Sequence, residues 1–328
     1  MLLAPLLLAL ADLHRSVVVP PRVQEPVVEI QVLVELPPAW TPGLKRTLEF
    51  VKERQEEQRG KLGPKNVATT TIDFEVTAKD DTGFTTNWTY RTTKVEAGNP
   101  IASIVATKVA SSYEGWVMRL HHGLDGSIEA FVDEDEARTK LFSLMDGVVA
   151  TMAAQPGAKP KDVETMRTAL SAAKSMLDGP AFAASTLKDP QMIFIWCGAS
   201  LVVGEKREYD DQLPNPFGGD PFPAHASIEV VRHDADKAEV ELEWHQTLDK
   251  EKASAAIAAM LRELAVKVGK PLPADQELPL LDIVDEGRWT FDTRLGLPTN
   301  VVWTRTIKND ELVRRETLRA TLRPVDAK

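Results

Sequence analysis

Two histidines and an aspartate within residues 121–125 are the first side chains that could bind a metal ion. His121 and His122 are adjacent, and Asp125 follows three residues after His122. Imidazole nitrogens and carboxylate oxygens are common zinc ligands. Adjacent side chains of a β-strand point to opposite faces of the sheet, so both histidines cannot serve one ion without irregular backbone. We therefore interpret the pair as the polar, solvated flank of a turn.

Two further groups of possible metal ligands lie in the second half of the chain. The histidines are His225, His233 and His245. We do not predict a zinc site there, because His233 falls in a predicted turn and His245 is expected to point away from the core. The possible calcium ligands are Asp210, Asp211, Asn215 and Asp220. Their spacing does not match an EF-hand, so we predict no metal and no cofactor.

No catalytic residue is predicted from the sequence. Cys197 is the single cysteine and lies in an apolar run. A nucleophilic cysteine needs an electropositive, partly exposed setting, so we expect a small buried hydrophobe. The sequence lacks the G-x-S-x-G, G-x-G-x-x-G, H-E-x-x-H and phosphate-loop motifs. We predict a protein that is not an enzyme, and an enzyme with a site assembled from distant residues is the alternative.

Two phenylalanines are the candidate ligand-binding residues. Phe217 and Phe222 lie in the segment 213–225, which contains four prolines and two glycines and is predicted to be a loop. Two aromatic side chains on such a loop could close over an apolar ligand. They could equally dock on the edge of a sheet as a plug.

The charge balance argues against two classes of partner. The chain has 39 basic and 49 acidic residues, for a net charge of −10. Nucleic-acid binding usually needs a basic face, and anionic membrane surfaces repel an acidic protein. With 43% hydrophobic residues the composition is that of a folded protein.

The first eleven residues resemble a secretory signal peptide. Leu2–Ala11 is apolar, too short to span a bilayer, and ends in the A-x-A cleavage pattern Ala9-Leu10-Ala11. The basic region that normally precedes the apolar run is missing. We predict a signal peptide over residues 1–11, no transmembrane segment, and a periplasmic or secreted protein. The alternatives are a buried N-terminal helix and a chain whose true start lies elsewhere.

Alternating apolar residues predict β-hairpins, and one hairpin pattern occurs twice. Residues 227–248 alternate on both sides of a polar break, which indicates an antiparallel hairpin with one buried face. Residues 71–92 repeat the pattern. In both copies an isoleucine precedes a tryptophan by 16 residues, Ile72 with Trp88 and Ile228 with Trp244. The two tryptophans should occupy equivalent core positions.

The repeat extends beyond this hairpin. Each copy contains, in the same order, a G-x-K-R strand, the hairpin with its tryptophan, a helix, and a second hairpin with a Gly-Leu turn. We predict an α+β protein with an internally duplicated antiparallel β meander, built from repeats at 27–131 and 203–323 and a helical connector at 132–202. The two repeats could form a clamshell or one large curved sheet, a half-barrel.

This strand–helix–hairpin repeat after an export signal resembles uncharacterised secreted bacterial β-rich repeat families, whose domains have no assigned function. More distantly it is similar to periplasmic half-barrel lipoprotein carriers, in which a curved sheet and covering helices enclose an acyl-chain cavity. The resemblance implies a hydrophobic ligand, and no functional residue is carried over from it. We expect an exported protein that binds a hydrophobic small molecule or an envelope protein. An envelope scaffold or assembly factor without a small ligand is the alternative.

Overall fold

A computed structural model describes residues 32–98, 111, 114–154, 157, 159–176, 180–213, 221–254, 258–259, 262, 282–309 and 311–324. The predicted signal peptide, residues 1–11, lies outside these ranges. The strands are β1 (Leu33–Glu35), β2 (Lys45–Gln58), β3 (Lys61–Leu62), β4 (Asn66–Lys79), β5 (Gly83–Glu96), β6 (Val117–Gly123), β7 (Ile128–Phe131), β8 (Ser200–Val202), β9 (Lys206–Leu213), β10 (Phe222–Asp234), β11 (Glu239–Leu248), β12 (Asp282–Asp292), β13 (Leu297–Lys308) and β14 (Leu312–Pro324). The helices between β7 and β8 are α1 (Glu134–Ala153), α2 (Pro160–Met176) and α3 (Pro180–Phe194).

Within the described residues, twelve strands form one antiparallel sheet. Its order is β7-β6-β5-β4-β2-β14-β13-β12-β11-β10-β9, and β3 pairs with β2 off this path. The central pair joins β2 to the last strand, with Leu318 of β14 opposite Lys52. A separate small sheet pairs β1 with β8. The sheet is not closed, because β7 and β9 end the path without pairing with each other.

The sheet is curved, as the neighbours of Cys197 show. Its thiol donates to the carbonyl of Gly296, in the β12–β13 turn, at 3.5 Å. A Cβ added to Gly126, in the β6–β7 turn, would lie 2.9 Å from the Cys197 Cβ. These two turns are six strands apart in the sheet order, which is roughly 29 Å in a flat sheet at about 4.8 Å per strand. The sheet must bend to bring both turns against one residue.

One face of the sheet, here called the inner face, carries the core. Helix α3 packs on this face against β7 and β13. Its last residue, Phe194, lies in an aromatic cluster whose other members are Trp40, Phe74, Trp88 and His122. Ring centroids in the cluster are 5.2–6.0 Å apart, the spacing of favourable offset and edge contacts. The core beneath α3 is therefore filled by side chains.

The α+β prediction with a large curved sheet is confirmed. The G-x-K-R strand predicted for the first repeat is β2, in which Leu48 and Phe50 alternate on one buried face. The loop predicted over 213–225 was too long: Leu213 ends β9 and Phe222 begins β10. Proline is tolerated there because it falls at the start of a strand.

The internal duplication, with repeats at 27–131 and 203–323 and a connector at 132–202, remains a prediction. Trp88 and Trp244 are both buried on the inner face. Their cross-strand partners differ, since Trp88 lies opposite Phe74 and Trp244 lies opposite Ile228. In the sequence match Phe74 corresponds to Val230, so the two hairpins differ in register by two residues.

Candidate functional site

The inner face changes from apolar to polar along the strands, and the change is visible in two neighbouring rows of side chains. We call one the apolar row, which crosses β13, β14, β2, β4 and β5. Its apolar members are Trp303, Leu318, Ala68 and Val95, and Lys52 of β2 is its one charged member. The next row, the polar row, crosses β11 to β4 and comprises Gln246, Asp285, Arg305, Glu316, Arg54 and Asn66. In the polar row the charges of neighbouring strands alternate in sign, the arrangement that stabilises cross-strand pairs.

Helix α3 crosses above these rows and leaves a cleft between itself and the sheet. Asp189 of α3 accepts a hydrogen bond from the Lys52 ammonium of β2 at 2.5 Å, which ties the helix to the sheet. The cleft has a volume of about 280 Å³ and is lined by the apolar row, by parts of the polar row and by Lys188 and Asp189. This volume lies near the lower end of the range for small-molecule pockets.

Lys188 is the unusual side chain in this cleft. Its Nζ lies 5.3 Å from the centroid of the Trp303 indole, a cation–π distance. Burial lowers the pKa of Lys188, and the nearby Arg305 guanidinium lowers that pKa further. Glu316 and Asp189 oppose the shift. Among the described residues, no carboxylate forms an ion pair or hydrogen bond with the Lys188 ammonium.

The other charged groups around the cleft have partners. Arg305 donates to both carboxylate oxygens of Asp285, at 2.7 and 2.6 Å. This pair is largely removed from water, because the Asp285 side chain is 1% exposed and the Arg305 side chain 13%. Arg54 donates to Glu56 at 2.6 Å. The ammonium of Lys188 is the charge left without an acceptor in the described part of the cleft.

The Trp303 indole beneath Lys188 carries a second donor. Its ring is buried, and its Nε1–H has no hydrogen-bond partner among the described residues. A buried donor without an acceptor costs about 1–3 kcal/mol. Lys188 and Trp303 thus provide donors and no acceptor, which suits a ligand group that carries acceptor oxygens, such as a carboxylate or a carbonyl.

A second groove continues from the cleft along β2. It has a volume of about 680 Å³ and shares Arg54 and Asn66 with the cleft. Its other lining residues are of mixed character and include the polar Glu56, Gln58 and Lys61 as well as Leu62 and Leu312. The inner face therefore offers a longer path toward the β2–β3 turn.

Of the two predicted ligand-binding residues, Phe222 does not line this cleft. Phe222 is buried in a separate small apolar cluster with Leu213, Ala224, Leu248 and Ala253. Phe217 lies outside the described residues. Both residues stay predicted ligand contacts.

One of the two adjacent histidines, His122, occupies a position different from the one expected. His122 lies in β6 and is fully buried, not on a solvated turn. Its Nε2 is 3.0 Å from the Thr86 hydroxyl, and its Nδ1 is 3.0 Å from the carbonyl of Gly126. Burial lowers the pKa of His122 to about 4. His121 points to the opposite face, as the alternation predicts, and approaches Glu129 at 3.6 Å.

The described residues contain no group of three side chains suited to hold a metal ion. His225 lies between Asp210 and Asp249, at 2.9 and 3.4 Å. Asp210 and Asp211 belong to β9, whereas Asn215 and Asp220 lie outside the described residues. Cys197 is buried, as predicted, and burial raises the pKa of its thiol.

Comparison with known proteins gives no family. No protein-family model matches the chain, and no curated protein matches it. A solved structure described as "Lipid-protein interactions in lipovitellin" aligns with 88% of this chain at 6% sequence identity and a TM-score of 0.40. This chain covers 26% of the lipovitellin chain. The search of described helices for a membrane span found none of sufficient length and apolarity.

The cleft residues carried little signal in the sequence. Lys188 and Asp189 precede Pro190 inside helix α3, and an isolated Lys-Asp pair on a helix is common on solvated surfaces. The polar row is formed by residues far apart in the chain. A signal was nevertheless present, since the inner-facing residues of β2 change from Leu48 and Phe50 to Lys52 and Arg54.

Proposed function

We propose that the protein binds a small amphipathic ligand in the cleft between α3 and the sheet. The acceptor oxygens of the ligand's polar end contact the Lys188 ammonium and the Trp303 Nε1–H. Its apolar part lies against Leu318, Ala68 and Val95. The observation that carries the proposal is the half-buried ammonium of Lys188, which lacks an acceptor among the described residues.

The physical reason is the cost of an unpaired buried charge. Taking an ammonium out of water is unfavourable unless an opposite charge or acceptor compensates it. The cation–π contact with Trp303 compensates only part of this cost, because such contacts contribute about 0.5–2 kcal/mol. A carboxylate or carbonyl oxygen in the cleft would supply the remaining stabilisation.

The same cleft disfavours a ligand that is apolar throughout. The apolar part of the inner face is occupied by the protein's own aromatic side chains beneath α3. Space remains at the boundary with the polar row, where charged groups are close by. The hydrophobic ligand expected from the sequence is accordingly proposed to carry one polar end.

Binding of three six-carbon probes tests this function. Hexanoate, hexanol and hexylamine differ only in the head group, and isothermal titration calorimetry measures their affinities for the full chain. We expect hexanoate to bind and hexylamine to bind at least about tenfold more weakly, since a charge-assisted hydrogen bond contributes about 1.5–3 kcal/mol. Hexylamine binding as tightly as hexanoate would refute the proposal.

Two lysine variants provide a matched comparison. Lys188→Met keeps the length of the side chain on Trp303 and removes the charge, so we expect hexanoate affinity to fall about 10- to 100-fold. Lys140 also lies over an indole, 5.8 Å from the Trp116 centroid, but is exposed and outside the cleft. Lys140→Met should leave hexanoate affinity unchanged. Equal losses in both variants would show that the cleft is not the binding site.

We also propose that the protein is exported to the periplasm or secreted, on the apolar run Leu2–Ala11 and its A-x-A end. N-terminal sequencing of the protein purified from its native host tests this. Cleavage after Ala11 is the expected result, and a mature protein that keeps Met1 would overturn the proposal.

A further inference from the structure

We propose that Lys188 is a covalent attachment site, at which its side-chain amine condenses with an aldehyde or ketone bound in the cleft to form a Schiff base. The inference rests on the proposed function, because the carbonyl compound must first occupy the cleft. It adds a chemical class to that function: ligands whose polar end is a reactive carbonyl.

The geometry around Lys188 combines two conditions that activate a lysine. A lysine amine is nucleophilic when it is desolvated in an apolar pocket or held next to another cation. Helix α3 places Lys188 against the buried Trp303 ring, which shields part of the amine from water. The Arg305 guanidinium also lies 5.3 Å from the centroid of the same ring. Two cations therefore share one indole, and the Arg305 guanidinium disfavours the charge on Lys188.

The carboxylates near Lys188 are held by other cations. Asp189, its neighbour in α3, is paired with Lys52. Glu316 of β14 lies directly opposite Arg305 and Arg54 in the sheet and 4.0 Å from Arg314. Burial and Arg305 both lower the pKa of the Lys188 amine, and the opposing effect of the two acids does not cancel the shift. A larger fraction of this amine is unprotonated at neutral pH than is usual for a lysine.

The Trp303 indole N–H is the donor assigned to the carbonyl oxygen in this proposal. The Trp303 Nε1–H has no acceptor among the described residues and belongs to the ring that Lys188 covers. A hydrogen bond from this group would polarise the carbonyl toward attack. The ligand's carbon chain would then lie along the apolar row, against Leu318 and Ala68.

The reaction needs no other reagent. The nitrogen lone pair of neutral Lys188 attacks the carbonyl carbon, and the electron pair of the C=O π bond moves to oxygen, which takes up a proton. The resulting carbinolamine loses its hydroxyl group and the nitrogen's proton as water. The balance is one amine and one carbonyl giving one imine and one water, with no change of oxidation state.

Reductive trapping of the imine tests the inference in the wild-type chain. The full-length protein is incubated with hexanal and sodium cyanoborohydride, and the modified lysines are mapped by peptide mass spectrometry over time. We expect Lys188 to be alkylated at pH 7 faster than Lys140, the exposed lysine that also covers an indole, because a lowered pKa leaves a larger unprotonated fraction of the Lys188 amine. Lys188 labelling no faster than Lys140 would overturn the inference.

A pH series separates reactivity from access. The rate of Lys188 labelling should level off at a lower pH than that of Lys140, because the plateau reports the pKa of the amine and not its exposure. Identical pH profiles for the two lysines would overturn the inference. Lys188→Arg, which keeps a cation on Trp303 but cannot form the imine, should abolish labelling at this position and leave labelling of Lys140 unchanged.

The outcomes distinguish this inference from the proposed function. If hexanoate binds and depends on Lys188 but hexanal does not label it, the covalent site is wrong and the binding function stands. If neither hexanoate binding nor labelling depends on Lys188, both are wrong.

Discussion

Breaking the Asp285–Arg305 pair should destabilise the protein by several kcal/mol. Both side chains are largely removed from water, and two hydrogen bonds of 2.7 and 2.6 Å join them. Arg305→Met leaves the Asp285 carboxylate buried without its partner, and breaking a buried ion pair in this way costs about 3–5 kcal/mol. At about 2 °C per kcal/mol for a chain of this size, Tm should fall by roughly 6–10 °C.

A double-mutant cycle tests the physical cause of this loss. Urea unfolding followed by tryptophan fluorescence is measured for Arg305→Met, Asp285→Asn and the double variant. Replacing both members removes the uncompensated charge, so the double variant should recover to within about 1–2 kcal/mol of wild type. The exposed pair Arg59–Glu311, at 2.8 Å, is the matched control, and Arg59→Met should cost less than about 1 kcal/mol. A small loss in Arg305→Met, or a double variant as unstable as the two single losses added, would refute the reasoning.

Three further predictions concern groups whose burial or backbone conformation is unusual. Lys188→Met should raise the free energy of unfolding at pH 7, because it removes a partly desolvated charge and keeps the contact with Trp303. The pKa of Lys188 in the folded chain is lowered from 10.5. The stability gained by Lys188→Met should therefore shrink as the pH rises from the lowered folded-state pKa toward 10.5. Burial lowers the pKa of His122 from 6.5 to about 4, so between these pH values the unfolded chain binds one more proton than the folded chain. The free energy of unfolding, measured by urea titration, should therefore fall from pH 7 to pH 4 by about 3 kcal/mol more in wild type than in His122→Gln. An alanine at Gly198, with φ +75°, would place its Cβ 2.6 Å from a backbone oxygen of the β6–β7 turn, whereas a Cβ at Gly157, with φ +82°, would have no atom within 4 Å. In thermal unfolding, Gly198→Ala should therefore lose at least about 1 kcal/mol more stability than Gly157→Ala. Equal losses would contradict this account.

The strands could be predicted from the sequence because alternation on one buried face is a local property. The charged segment that follows Gly43 is predicted to be a strand because it begins the repeated G-x-K-R pattern, and it forms β2. The positions of β-bulges are not local in this sense. Bulges between Thr71 and Ile72 and between Val76 and Ala78 shift the pairing of β4 with β5. Such shifts decide which residues lie opposite each other, and no composition rule specified them.

The cleft could not be predicted for the same reason. Its apolar row joins residues from five strands, and the closest pair in the chain, Trp303 and Leu318, is still fifteen positions apart. The central contact, Leu318 opposite Lys52, joins the last strand to one of the first. The prediction of Phe217 and Phe222 as ligand contacts relied on loop composition instead, and Phe222 begins a strand.

The cleft lies where three adjacent strands change from apolar to charged side chains on the inner face. Inner-facing residues change from Phe50 to Lys52 in β2, from Leu318 to Glu316 in β14, and from Trp303 to Arg305 in β13.

The apolar core alone would not require the strands to continue past this boundary, because buried apolar area is what stabilises the sheet. The strands continue and carry alternating charges on the inner face, and α3 places one further cation, Lys188, above them. An amphipathic ligand would match both sides of that boundary at once, its apolar part on the apolar row and its acceptor oxygens on the donors beside it.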